Sequence, residues 1–107
     1  MENSCVFCKM VKGELPSGIV DQSKNFIVVP DINPHAPIHL LLITKNHVTD
    51  ISEISPELWE EGRELALRLK NEMGMDGFRF AVNYGTSSHM KHFHIHFLGN
   101  IGQQAQM

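Results

Sequence analysis

The chain has 107 residues, 42% of them hydrophobic and 20% charged, with a formal net charge of −3. That length fits one domain over residues 1–107 with a core of modest size. The missing basic run argues against a nucleic-acid polymer as partner. No stretch approaches the roughly 18 apolar residues of a membrane span, so a cytoplasmic protein is expected.

The two cysteines are spaced Cys5-Val6-Phe7-Cys8 and lead into a short predicted helix that Gly13 stops. In a reducing compartment such a pair reads as a metal or redox site before a disulfide. A thioredoxin-like pair needs a strand ahead of it, and too few residues precede this one. Half a zinc site fits better, with two ligands supplied from elsewhere. Two inert small hydrophobes are the plain alternative.

Ile19-Val20 begins a short strand, and residues 22–25 have the composition of a turn. Phe26-Ile27-Val28-Val29 is a β-branched and aromatic strand that Pro30 ends. The loop that follows contains Asp31 and Ile32 and is stiffened by Pro34 and Pro37. It can hold an acid and an apolar residue beside a ligand, or simply connect two strands. His39-Leu40-Leu41-Leu42-Ile43-Thr44 is apolar enough for a central strand covered on both faces, and Lys45-Asn46-His47 closes it.

Ser55-Pro56-Glu57 is a helix start, with a capping serine, proline at the first position and an early acid. Leu58, Gly62, Leu65, Ala66, Leu69 and Met73 follow at helical spacing, and Gly74 is the stop. Trp59 lies beside that stripe, as core or interface. Residues 77–83 form a fourth strand. The polar loop over residues 84–89 suits an oxyanion or phosphate, or a simple turn.

His92-Phe93-His94-Ile95-His96-Phe97-Leu98 then alternates strictly. Period two marks a strand with one buried face, so the three imidazoles share the other face, roughly 7 Å apart. Each can serve as nucleophile, acid, base or metal ligand. A metal site is the serious rival to catalysis here, because His-x-His on a strand is a common ligand pair. The whole reads as an α+β fold: about five antiparallel strands with one long helix on one face and a short N-terminal helix.

Residues 92–98 match at every position the His-φ-His-φ-His-φ-φ signature (φ apolar) of the histidine triad (HIT) family, which the chain resembles. Cys5-Val6-Phe7-Cys8-Lys9 and Gly13-Glu14-Leu15-Pro16 are similar to the N-terminus of the bacterial Hint-type branch. Asp31 to His39, Lys45-Asn46-His47 and Asn83-x-Gly85 also have counterparts there. The resemblance implies hydrolysis or transfer at the α-phosphate of a purine nucleotide, often a phosphoramidate, through a nucleotidyl-histidine intermediate. His94 is then the nucleophile, His96 contacts the phosphate, and His92 and His39 support the triad. Asp31 holds the ribose, Ile32 packs on the base and Asn83 touches the phosphate side. The implied fold is an antiparallel sheet with a helix, usually as a homodimer.

In family members with the N-terminal cysteines, the resemblance implies a structural zinc held by Cys5, Cys8, His47 and His92, with no metal needed for the chemistry. Where the family usually has Gln-Ser or Gln-Thr before the triad, this chain has Ser88-His89. His89 is read as a phosphate donor, a leaving-group acid or only a turn residue. Two further readings use the same residues. One is a nucleotide-binding or adaptor protein with little catalysis; the other treats the triad itself as a catalytic zinc site.

Overall fold

A computed structural model describes residues 5–85 and 90–100. The elements are α1 (Val6–Val11), β1 (Asp21–Gln22), β2 (Phe26–Pro30), β3 (Ile38–Thr44), a 3-10 turn (Ile51–Glu53), α2 (Pro56–Glu72), β4 (Phe78–Ala81) and β5 (His94–Gly99). One antiparallel sheet takes them in the order β1-β2-β3-β5-β4. The expected α+β architecture of five antiparallel strands, one long helix and a short N-terminal helix is the one observed.

Period-two alternation divides the sheet into two faces. Phe26, Val28, Leu40, Leu42, Ile95 and Phe97 point toward α2 and meet Leu65, Ala66 and Leu69. Ile27, Val29, Leu41 and Ile43 point to the opposite face and meet Phe7 of α1. Leu42 and Ile43 are both fully buried, one on each face, as a doubly covered central strand requires. Each such side chain contributes about 2 kcal/mol through area removed from water.

Helix α2 starts as its sequence dictates: the Ser55 hydroxyl accepts from the Leu58 N–H at 3.0 Å, with Pro56 just inside. A Cβ built on Gly62 would stand 3.2 Å from Cδ1 of Ile95, so the missing side chain lets the helix settle on β5. The expected stripe loses Met73, which caps the helix and is 46% exposed; Met75, past Gly74, enters the core instead.

Three strand boundaries differ from expectation. Ile19 and Val20 are exposed, and the first strand covers Asp21–Gln22. The fourth strand stops at Ala81, where its ladder with β5 ends at His96. The histidine strand begins at His94, so His92 and Phe93 precede it. The cause is that β3 runs out at Thr44: Phe93 bonds instead to the Val48 carbonyl (2.6 Å) and to the Thr44 N–H (3.4 Å). The turn over residues 51–53 was not foreseen; Asp50 caps it.

Candidate active site and metal cluster

The histidine strand feeds two adjacent clusters. The first joins Cys5, Cys8, His47 and His92, whose donor atoms all lie within 4.8 Å of one another. Cys5 caps α1 and Cys8 sits one turn on, which puts both thiols at the same end of the helix. Nδ1 of His92 is 3.3 Å from the Cys5 sulfur and 3.5 Å from the Cys8 sulfur, and Nδ1 of His47 is 3.1 Å from the Cys8 sulfur.

Nε2 of the fully buried His92 donates to the Thr44 carbonyl at 2.7 Å, which leaves the Nδ1 lone pair facing the thiols. Ligating histidines are commonly oriented by such a bond from the other ring nitrogen. Burial also holds His92 below its ordinary pKa, against the pull of that carbonyl, and so favours the neutral ligand form. A tetrahedral zinc with two sulfur and two imidazole ligands has sulfur–nitrogen edges of roughly 3.5 Å. The donor set is therefore compatible with zinc, as a closed Cys2His2 site.

The second cluster holds His94, His96, His39, Asp31 and Asn83. Ile43 pairs with His94 and Leu41 with His96, while His39 pairs with Leu98, so His39 lies diagonally across from His96 on the same face. Nδ1 of His94 donates to the His92 carbonyl at 2.8 Å. That bond puts the proton on Nδ1 and leaves the Nε2 lone pair free.

A chain of bonds fixes the other two rings. The His35 backbone N–H donates to Nδ1 of His39 at 3.0 Å, so the His39 proton sits on Nε2. Nε2 of His39 donates to Nδ1 of His96 at 2.9 Å, with Oδ2 of Asp31 at 3.3 Å. His96 must then carry its proton on Nε2; the side-chain nitrogen of Asn83, also a donor, stands 3.4 Å from it, so the two N–H groups suit a shared acceptor rather than each other. Oδ1 of Asp31 accepts from the Asn33 N–H at 2.8 Å. Donor atoms of Asp31, His39 and His96 also lie within 4.8 Å of one another. With Nδ1 of His39 already accepting, however, its Nε2 is a donor, and the trio works as a relay rather than a ligand set.

All three rings are pushed toward the neutral form. Burial lowers the pKa of His94, opposed by the His92 carbonyl and Asp31. Burial lowers His39 against the attraction of Asp31. His96 is pushed down to about 4, first by burial and then by repulsion from His94 and His39.

Both rings of β5 open on a cavity of about 690 Å³. The loop after β2 supplies Asp31, Ile32 and His35 to it, and Ile32 is 91% exposed. The facing wall is Val6, Phe7 and Met10 of α1. Phe7 meets the ring of His94 edge-on at 5.0 Å and that of His92 at 5.7 Å. Sequence reasoning missed this wall, although apolar residues at positions 6, 7 and 10 between and beside the cysteines carried the signal. The structure thus gathers the expected site residues into one cluster or the other, with Ile32 lining the adjoining cavity, while Ser88 and His89 lie outside the described residues. The triad does not converge as one metal site: His92 turns into the thiol cluster, and His94 joins neither group of donors. Among the described residues no helix is long and apolar enough to cross a membrane.

Known proteins share this fold and much of this sequence. Residues 4–107 match the sequence model of the family described as "Scavenger mRNA decapping enzyme C-term binding". The adenosine 5'-monophosphoramidase HNT1 of Saccharomyces cerevisiae is 32% identical over 97 residues, which cover 91% of this chain and 61% of that protein. A HIT family hydrolase from Clostridium thermocellum superposes with a TM-score of 0.87 at 33% identity, covering 96% of both chains. A zinc-bound histidine triad protein from Mycobacterium smegmatis gives 0.85 at 28% identity, covering 100% of this chain and 83% of that one. With the motif, the sheet and these relatives in agreement, the chain belongs to the histidine triad family.

Proposed function

We propose that the protein is a nucleotidyl hydrolase that cleaves purine nucleoside phosphoramidates at the α-phosphate. The observation that carries this reading is the 2.8 Å bond from Nδ1 of His94 to the His92 carbonyl, which aims an unprotonated Nε2 into the cavity. A neutral imidazole so fixed is a competent nucleophile toward phosphorus.

In the first step Nε2 of His94 forms a bond to the α-phosphorus as the bond from phosphorus to the leaving nitrogen breaks. The departing amine takes its proton from solvent. The positive charge gained by the ring is stabilised through Nδ1–H by the His92 carbonyl. Nε2–H of His96 and the Asn83 amide donate to the non-bridging oxygens, and preorganised donors of this kind are often the largest catalytic contribution. In the second step water attacks phosphorus, the bond to Nε2 breaks, and the water proton leaves to solvent. The products are the nucleoside monophosphate and the free amine.

Asp31 serves the ribose hydroxyls, and a flat purine fits between exposed Ile32 and the apolar wall of α1. Cys5, Cys8, His47 and His92 hold zinc, whose contribution when bound is to lock structure rather than to act on the substrate. The name of the yeast relative supports the phosphoramidate class, and that of the mycobacterial one supports zinc.

A cytoplasmic homodimer of single-domain chains completes the proposal. The half-buried edge strand β4, with Trp59 stacked edge-on against Phe80 at 6.0 Å, is the surface that favours pairing.

The test is turnover of an adenosine phosphoramidate with a fluorescent leaving amine by wild type and His94→Ala. Loss of about 10³-fold or more is expected for a missing nucleophile. Equal rates would overturn the mechanism. Tight mononucleotide binding with no turnover by wild type would favour a binding protein instead.

A further inference from the structure

Helix α1 belongs to both clusters at once. It has six residues, too few to be stable as a helix by itself. Two of the four thiol-cluster donors, Cys5 and Cys8, cap and anchor it, while Val6, Phe7 and Met10 of the same turn and a half face the cavity. Phe7 stands between the two cysteines in sequence and is 6% exposed. Its ring contacts His92, a thiol-cluster donor, and His94, which faces the cavity.

We propose that the metal cluster and the nucleotide cavity are coupled through α1, with Phe7 as the positioning residue that transmits the coupling. The proposal rests on the zinc and nucleotide reading given above. When Cys5 and Cys8 are tied to His47 and His92, α1 is fixed against β5 and the cavity wall is preformed. When they are not, a nucleotide must order that wall as it binds. A ligand that meets an already ordered wall binds more tightly, and linkage makes the effect reciprocal. Nucleotide should therefore retain the metal by the same factor as the metal strengthens nucleotide binding. Coupling of this kind commonly amounts to between about 5- and 150-fold.

The experiment uses the zinc-loaded protein, so it does not depend on a folded metal-free state. Zinc loss to excess chromophoric chelator is followed with and without saturating adenosine monophosphate, whose binding is measured separately by calorimetry. Wild type should lose zinc about tenfold more slowly with nucleotide, within the usual range of coupling. Phe7→Leu keeps all four donors, so it should start with the same zinc content. At saturating nucleotide it should show little or no slowing. Nucleotide that binds without altering zinc loss in wild type would overturn the coupling. Equal slowing in Phe7→Leu would overturn the role of Phe7. Absence of zinc, or of nucleotide binding by the loaded wild type, would instead remove the underlying reading, and the coupling with it.

Discussion

The carbonyl oxygen of His92 accepts the Nδ1 proton of His94 at 2.8 Å, while the His92 ring faces the thiols of Cys5 and Cys8. One residue thus touches the thiol cluster with its side chain and sets the tautomer of its neighbour with its backbone. The end of the ladder between the two residues makes this possible. His92 lies before the ladder and turns inward, and His94 opens the ladder and faces the cavity.

Loss of one thiol should be felt in stability before chemistry. Cys8 is buried and stands close to both His47 and His92. Cys8→Ser is expected to lower bound zinc well below one per chain. It should also remove several kcal/mol of stability, since metal affinity of a structural site is folding free energy. A zinc assay alongside a thermal melt reads both, and an unchanged melting temperature would count against a structural metal.

The relay predicts a graded series at His39. Its Nε2–H is the donor that fixes the tautomer of His96. His39→Ala should lower kcat by about 10- to 100-fold with little change in KM, the pattern of an interaction made mainly in the transition state. His39→Gln can still donate an amide N–H to His96 and should recover part of that loss. Equal activity of the two variants would reject the relay.

Acid should destabilise the protein through His96. Its pKa falls from 6.5 in the unfolded chain to about 4 in the folded one. Between those values the unfolded state binds the extra proton. The contribution of His96 is therefore fully present above pH 6.5 and is lost as pH falls toward 4. The effect is at most about 3 kcal/mol. Urea denaturation of wild type and His96→Gln across that window reads the contribution of His96 together with its coupling to His94 and His39. Parallel stability curves for the two proteins would show that His96 is not responsible.

Gly62→Ala sets two effects in opposition. Alanine gains about 1 kcal/mol of helix propensity over glycine. Its Cβ would press on Cδ1 of Ile95, a fully buried residue that must give by a few tenths of an ångström, and overpacking costs about 1–3 kcal/mol. We expect a net loss of about 1 kcal/mol in urea denaturation. Net stabilisation would mean that the contact with Ile95 relaxes freely.

The strands, the helix and its cap were legible because they depend on local signals: alternation over residues 94–98, β-branched runs in β2 and β3, and Ser55-Pro56 at a helix start. The positions of strand ends were not, because they depend on partners. Whether Phe93 joins the ladder is decided by where β3 stops, almost fifty residues away. The thiol cluster was legible as half a site, and its histidines only through the family resemblance. The tautomers of His39 and His96 were hidden altogether, since a backbone N–H at His35 sets them. The cavity wall of α1 was present in the sequence as three apolar residues, but nothing local says which side of a six-residue helix faces a sheet.

The place of β5 inside the sheet, between β3 and β4, has a consequence for biosynthesis. No continuous sheet can form from β1 to β4 until residues 94–99 have been made and inserted. Cys5 meets His92 only across a separation of 87 residues. A growing chain on the ribosome accordingly holds β3 as an open edge and has neither cluster assembled. Such long-range closure slows folding and leaves the edge vulnerable to pairing with other chains in the meantime. Both side-chain clusters and a continuous sheet therefore arrive in the same event, when the histidine strand enters.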